Sequence, residues 1–167
     1  GKKNSGAVSN IGPIKIGVIT PLTGWAAYWG EGVKSGIDLA VSETNKSGGV
    51  DGRKVEVIYE DFGNIDLKLA ASAANKLVSV DNVDALLTTF LEDTTVASPI
   101  AHNANKPIVS IAAGNKGVSP TTMLFRVRPY FEGVFPEFSA KYFMAKGKKN
   151  PVVLFENIRF CQNYTDE

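Results

Sequence analysis

Hydrophobic positions along the chain switch repeatedly between a period that suits strands and one that suits helices. Ile14, Ile16, Val18 and Ile19 alternate and then run together, the pattern of a buried parallel strand over Ile14–Thr20. Thr20-Pro21 breaks it, and Thr23-Gly24 makes a small-residue turn before Trp25, Tyr28 and Trp29. Over residues 30–46, Val33, Ile37, Ala40, Val41 and Thr44 share one helical face, and Ser47-Gly48-Gly49 stops that helix. Val55, Val57 and Tyr59 mark a second strand ending at Glu60-Asp61. Asp66 reads as an N-cap, followed by a stripe of Leu67, Ala70, Ala71, Ala74, Leu77 and Val78. A third strand is expected over 84–90, a weaker helix over 93–105 interrupted at Pro99, and a fourth strand over 107–111. A fifth covers 124–127, a helix starts near Pro136 and runs to Met144, and a last strand covers 152–155. This alternation predicts an α/β fold with a doubly wound parallel sheet and right-handed crossovers.

Length and composition narrow the picture without naming a chemistry. A chain of 167 residues makes one good domain and is short for two. Lys+Arg 18 against Asp+Glu 17 argues against nucleic acid or an anionic membrane as the main partner, because both favour a basic excess. The single cysteine, Cys161, excludes an internal disulfide and a cysteine-based metal site, and one histidine leaves no histidine cluster. No apolar run reaches the ~20 residues needed to cross a bilayer. No signal peptide is present, so the chain reads as cytosolic or already processed.

Candidate chemistry gathers in the loops that follow the strands, the edge where open α/β sheets bind ligands. Trp25, Tyr28 and Trp29 either pack against the sheet edge or form a lid or wall over a small ligand. Thr20-x-x-Thr23-Gly24 before a helix also allows a flavin phosphate loop. After the third strand comes Leu91-Glu92-Asp93-Thr94-Thr95. Asp93 or Thr94 there reads as a helix cap, or Glu92 or Asp93 faces the cleft and meets a hydroxyl or a cation. Ala112-Ala113-Gly114-Asn115 lacks bulky side chains, so it is either a plain turn or a place where a ligand reaches backbone N–H groups. His102 has no paired acid or nucleophile, Cys161 has no nearby histidine, and no nucleophile, base and orienter are spaced together. The chain is therefore read as a non-enzyme without metal or cofactor. The competing readings are a flavodoxin-like FMN protein and a receiver-like domain using Glu60-Asp61.

Several of these segments, in this order, resemble periplasmic ligand-binding proteins of the branched-chain amino acid type. They are Lys15-Ile16-Gly17-Val18 into Pro21-Leu22-Thr23-Gly24, then Ala27-Tyr28-Trp29-Gly30. Asn45-Lys46-Ser47-Gly48-Gly49-Val50 with Gly52, Tyr59-Glu60-Asp61, and Pro107-Ile108-Val109-Ser110 with Ala113 continue the match. The resemblance implies a type I lobe with flavodoxin-like strand order, one of two that close on a ligand. It implies an extracytoplasmic receptor of an ABC importer, with a small amino-acid-like or related organic ligand and the transporter permease as partners. Relatives also serve as ligand-binding parts of sensory receptors. By position, Trp29 matches the family's ligand-contacting aromatic, with Tyr28 beside it. The family's hydroxyl after the third strand falls at Leu91 or Glu92, with Asp93 and Thr94 next in line, and Ala112 and Gly114, with Ala113 between them, match the positions that hold a carboxylate. No serine stands at Leu91 or Glu92, and Gly114 replaces the usual threonine. A glutamate repels an α-carboxylate, which puts a plain aliphatic amino acid in doubt and leaves an amine, a polyol or an apolar or aromatic compound open.

The same resemblance divides the chain into a tether over 1–12, of the kind that follows a lipidated cysteine in the family, a first lobe over 13–129, and a crossover with the start of a second lobe over 130–167. An unfinished lobe would expose apolar surface and invite self-association. Residues 157–167 depart from the family pattern. Codons can be chosen for residues 159–167 whose next frame reads Asp-Phe-Ala-Lys-Thr-Ile-Gln-Thr, which fits, so a frameshift is expected in the coding DNA.

Overall fold

The computed structural model describes residues 12–111, 123–127, 135–148, 150 and 152. In chain order the elements are β1 (Ile14–Thr20), α1 (Ala27–Lys46), β2 (Val55–Asp61), α2 (Leu67–Ser79) and β3 (Ala85–Thr88). They continue as α3 (Leu91–Asn103), β4 (Ile108–Ser110), β5 (Leu124–Arg126) and α4 (Phe135–Ala145). All five strands lie parallel in the order β2-β1-β3-β4-β5. The chain moves from β1 outward to β2 and then crosses back to β3, so the direction of winding reverses between β1 and β3. A crevice opens at the carboxyl ends of such a pair, because the connections leave toward opposite faces. The expected doubly wound sheet is therefore present, with flavodoxin-like order.

Its core lies between the sheet and the α2–α3 pair. Ile19, Leu86 and Ile108 from the strands meet Ala70, Ala73, Ala74 and Leu77 of α2 and Ala97 and Ala101 of α3. Small residues on both helices let them approach the sheet closely. A Cβ on Gly17 would stand 3.0 Å from the methyl carbons of Leu77 and Leu86, so glycine there makes room for two leucines. The α1 side is covered less completely. Val33, Ile37 and Val41 are half-buried, Ala40 is exposed, and Gly30 is the buried residue of the helix.

The structure shifts several expected boundaries. Asp66 caps α2 as expected, accepting hydrogen bonds from the Lys68 and Leu69 N–H groups. The buried stripe includes Ala73, whereas Leu67 lies exposed at the helix start. β3 ends at Thr88 rather than at residue 90, since Phe90 already serves as N-cap of α3. α3 begins at Leu91 and runs through Pro99 without ending. Proline removes one N–H from the helix. Burial of Ala97, Ser98 and Ala101 on the side facing α2 and the sheet keeps the segment helical all the same. Most of the last expected strand, over 152–155, lies outside the described residues, as do the tether and the tail over 157–167. Exposed on α4 are Phe138, Tyr142, Phe143 and Met144.

Leu77 is fully buried at the centre of the core. Leu77→Ala should lower stability by about 2–5 kcal/mol, read as an earlier midpoint in urea with an unchanged slope.

Candidate functional site

The loop from β1 to α1 is held from outside by the end of β2. Asp61 Oδ1 accepts from the N–H groups of Leu22 at 2.7 Å, Thr23 at 3.3 Å and Gly63 at 2.8 Å, and its Oδ2 accepts from the Thr23 hydroxyl. Asn64 Oδ1 accepts from the Trp25 N–H at 2.9 Å. Gly24 has φ +82, and a Cβ on it would lie 1.8 Å from Asn64 Oδ1. Both the turn and the contact therefore demand glycine. Gly30 has a parallel role, since a Cβ there would strike the Pro21 carbonyl at 1.8 Å. The first turn of α1 thus lies directly on the loop.

This clamp presents three aromatics to solvent. Trp25, Tyr28 and Trp29 are 53%, 65% and 54% exposed, so none of them is core. Tyr28 and Trp29 stand in the first turn of α1 rather than in a loop, because the helix begins at Ala27, ahead of the expected residue 30. Their rings are tilted at 42° with centroids 5.0 Å apart. A helical backbone fixes them better than a loop would.

At the end of β3 the polar residues divide into two kinds. Asp93 is fully buried and consumed by local structure. Its carboxylate accepts from the N–H groups of Thr89 at 2.8 Å, Phe90 at 2.9 Å and Thr94 at 2.7 Å, and from the Thr89 hydroxyl. Burial pushes its pKa up to about 7, and these hydrogen bonds pull the other way. Thr94 donates to the Phe90 carbonyl and shares hydroxyl contacts with Thr88 at 2.7 Å and Ser110 at 3.0 Å. Asp93 and Thr94, both candidates for ligand contact, sit beneath the surface and hold the start of α3. The N-cap itself is Phe90, with Asp93 reaching back to its N–H as the acid of a capping box does.

Glu92 is different. It is only 6% exposed, and its Oε1 has no hydrogen-bond partner among the described residues. Thr20 Oγ1, at the carboxyl end of the neighbouring strand β1, is likewise buried and unpartnered. Buried polar atoms without partners are costly and uncommon. Thr20 Oγ1 lies at the end of β1 and Glu92 Oε1 just after β3, and Ser98 Oγ within α3 is a third such atom among the described residues. Ala112, Ala113 and Gly114 lie outside the described residues.

Sequence reasoning passed over Asn64 and weighed Thr20 only as part of a phosphate loop. Asp61 was weighed only as a signalling acid, and no spacing rule connects it to a loop 38 residues away. Glu60, the other acid of that pair, is bound to Lys76 at 2.6 Å. A phosphate loop needs free N–H groups, but those of Leu22 and Thr23 already go to a carboxylate that would repel a phosphate. His102 is exposed, as expected. A groove of about 270 Å³ lined by Asn75, Val78, Ser79, Ile100, Asn103 and Ala104 lies at the C-terminal ends of α2 and α3, the opposite end of the sheet. Among the described residues no cluster of three His, Cys, Asp or Glu side chains could hold a metal ion. No described helix is long and apolar enough to cross a membrane.

Comparison with known proteins places this edge in a wider setting. A family model for periplasmic binding proteins matches residues 13–167. The chain is 30% identical over 161 residues to Leu/Ile/Val-binding protein homolog 2 of Brucella abortus, covering 92% of this chain and 42% of that protein. It is similar in structure to the branched-chain amino acid transporter substrate-binding protein LivJ of Streptococcus pneumoniae, solved with isoleucine, at TM-score 0.80 and 27% identity over 92% of this chain and 45% of that one. A solute-binding protein of an R. palustris ABC transporter, solved with 4-hydroxybenzoate, aligns at TM-score 0.70 and 25% identity over 81% of this chain and 36% of that one. The chain thus spans less than half the length of these relatives.

Two outcomes follow from the two satisfied carboxylates. Desolvation raises the Asp61 pKa, but the Thr23 hydroxyl and the Gly63, Leu22 and Thr23 N–H groups outweigh it and hold the group below 3.8. A depressed pKa stabilises above the unfolded value and is lost as pH falls through the folded one. Tryptophan fluorescence should therefore report loosening of the loop only below about pH 4 in the wild type, and already at pH 7 in Asp61→Asn. Asp93→Ala strands the Thr89, Phe90 and Thr94 N–H groups in the interior and should cost at least about 3 kcal/mol in urea denaturation at pH 7.

Proposed function

The chain belongs to the periplasmic binding protein family, and from that premise we propose that it binds a small organic solute at the carboxyl edge of its sheet, without turnover, as part of the extracytoplasmic receptor of an ABC importer. The observation that carries this reading is the aromatic wall. Trp25, Tyr28 and Trp29 are more than half exposed while their loop is clamped by Asp61 and Asn64. Exposing three large aromatics loses the burial energy they could contribute to folding, and ordering them in advance lowers the entropy lost when a ligand packs on them. A core role would bury the rings, and a merely tolerated loop would not be so firmly tied.

In this reading Tyr28 and Trp29 form one side of the site. Glu92 at the start of α3 forms the other, and the family resemblance adds Ala112, Ala113 and Gly114 to the same site. The flavin alternative is less favoured, because the Thr20–Gly24 turn spends its N–H groups on Asp61. A second lobe would close over the ligand and provide the remaining contacts, and the permease would read the closed form. Contacts from one lobe alone leave the ligand partly solvated, so affinity should be modest.

Calorimetric titration with isoleucine, 4-hydroxybenzoate and amine analogues of each tests the reading. At least one should bind with Kd near or above ~1 mM, equivalent to about −4 kcal/mol, and Trp29→Ala should weaken that binding about tenfold or more with little loss of stability. Full binding by Trp29→Ala would place the site elsewhere.

A further inference from the structure

We propose that Glu92 sets the ligand class: the site takes a compound presenting an amine or amidinium to the start of α3 and disfavours one presenting a carboxylate there. This rests on the solute-binding reading above. Glu92 stands in the first turn of α3, directly after the end of β3, and is 6% exposed. Its Oε1 has no partner among the described residues, and no described lysine or arginine pairs with it.

Placement at a helix N-terminus does not by itself account for this. An acid in the first turn interacts favourably with the helix dipole while remaining hydrated. A buried acid gains from the same dipole only if its oxygens also find donors, because an unpaired buried carboxylate loses its hydration. Three of the local donors go elsewhere: Asp93, the next residue, accepts the Thr89, Phe90 and Thr94 N–H groups. Glu92 therefore retains an acceptor that the fold does not use. An N–H-rich cation is the group that satisfies it with a charge-assisted hydrogen bond.

The opposite wall points to the same chemistry. Tyr28 and Trp29 form a tilted pair on the connection from β1, the strand paired with β3. Aromatic faces carry negative charge density and attract a desolvated cation. An ammonium or amidinium at Glu92 gains a charge-assisted hydrogen bond, and a carboxylate in the same place faces a like charge. Thr20 Oγ1, at the carboxyl end of the strand paired with β3, is a second buried oxygen without a partner among the described residues. No cation among the described charged groups competes with the ligand for Glu92.

Matched probes separate charge from shape. Isopentylamine and 4-methylpentanoate share an aliphatic frame, and tyramine and 3-(4-hydroxyphenyl)propionate share an aromatic one. Titration of the full 167-residue chain by calorimetry and amide NMR shifts should show each amine binding at least tenfold more tightly than its matched carboxylate. Glu92→Gln should remove most of that preference. The same variant removes an acceptor that the fold does not use, so the unliganded protein should melt at the same temperature or a few degrees higher, the exchange of stability for function expected of a binding residue. Glu92→Ser, smaller and hydroxylated, should also abolish the amine preference, which guards against an effect of glutamine alone. Equal or tighter carboxylate binding that Glu92→Gln leaves unchanged overturns the assignment while the solute-binding reading stands. A lower melting temperature in both variants also overturns it, since Glu92 would then be holding the helix start. Failure of all four probes, isoleucine and 4-hydroxybenzoate to bind overturns both readings.

Discussion

Two carboxylates, Asp61 and Asp93, hold the carboxyl edge of this sheet together by accepting backbone N–H groups from the loops beside them. Each solves the same problem. A strand that ends and turns into a helix leaves amides without partners, and at a crowded sheet edge water cannot reach all of them. Asp61 gathers three N–H groups and one hydroxyl, tying β2 to the loop after β1. Asp93 does the equivalent within the connection from β3 to α3, from a fully buried position. Side chains that a ligand could use are displayed on top of these anchors. Asp61 in particular fixes the loop from which α1 and its aromatics start.

Much of the fold was legible because the signals were periodic or local. The alternation over Ile14–Thr20, the Asp66 cap and the alanine stripe of α2 each state their structure within a dozen residues. The doubly wound parallel sheet followed from strand–helix alternation with handed connections, and its order from the family resemblance. What could not be read were interactions across long sequence separations. Asn64 against Gly24 explains a glycine that otherwise looked like an ordinary turn. The start of α1 was misplaced for a related reason. Ala26 offers no side-chain cap, and α1 is started instead by main-chain bonds to the Gly24 and Ala26 carbonyls. Proline in α3 misled in the opposite direction, since burial outweighed a local breaker.

The candidate site was legible in its location and only partly in its members. Aromatics after β1 and acids after β3 stand at the winding reversal, as strand order requires. Sequence alone, however, could not distinguish Glu92 from Asp93. Both are acidic, adjacent, buried and in one helical turn. Only the donor inventory separates them: three amides point at one carboxylate and leave an oxygen of the other unmatched. Position in a family motif cannot supply that distinction, because it compares residue types and not hydrogen bonds.

An unmatched carboxylate beside a satisfied one is hard to explain by folding alone. Selection for stability would favour a neutral residue at 92, since replacing a buried, unpaired charge usually helps a fold. The neighbouring Asp93 shows that an acid at this edge can be fully accommodated when it serves the helix. The difference between them therefore measures what folding leaves over. That remainder lies on the same carboxyl edge as the exposed, clamped aromatics and a buried threonine hydroxyl that has no partner among the described residues. A cation bound at Glu92 would make a hydrogen bond that the polypeptide by itself leaves open.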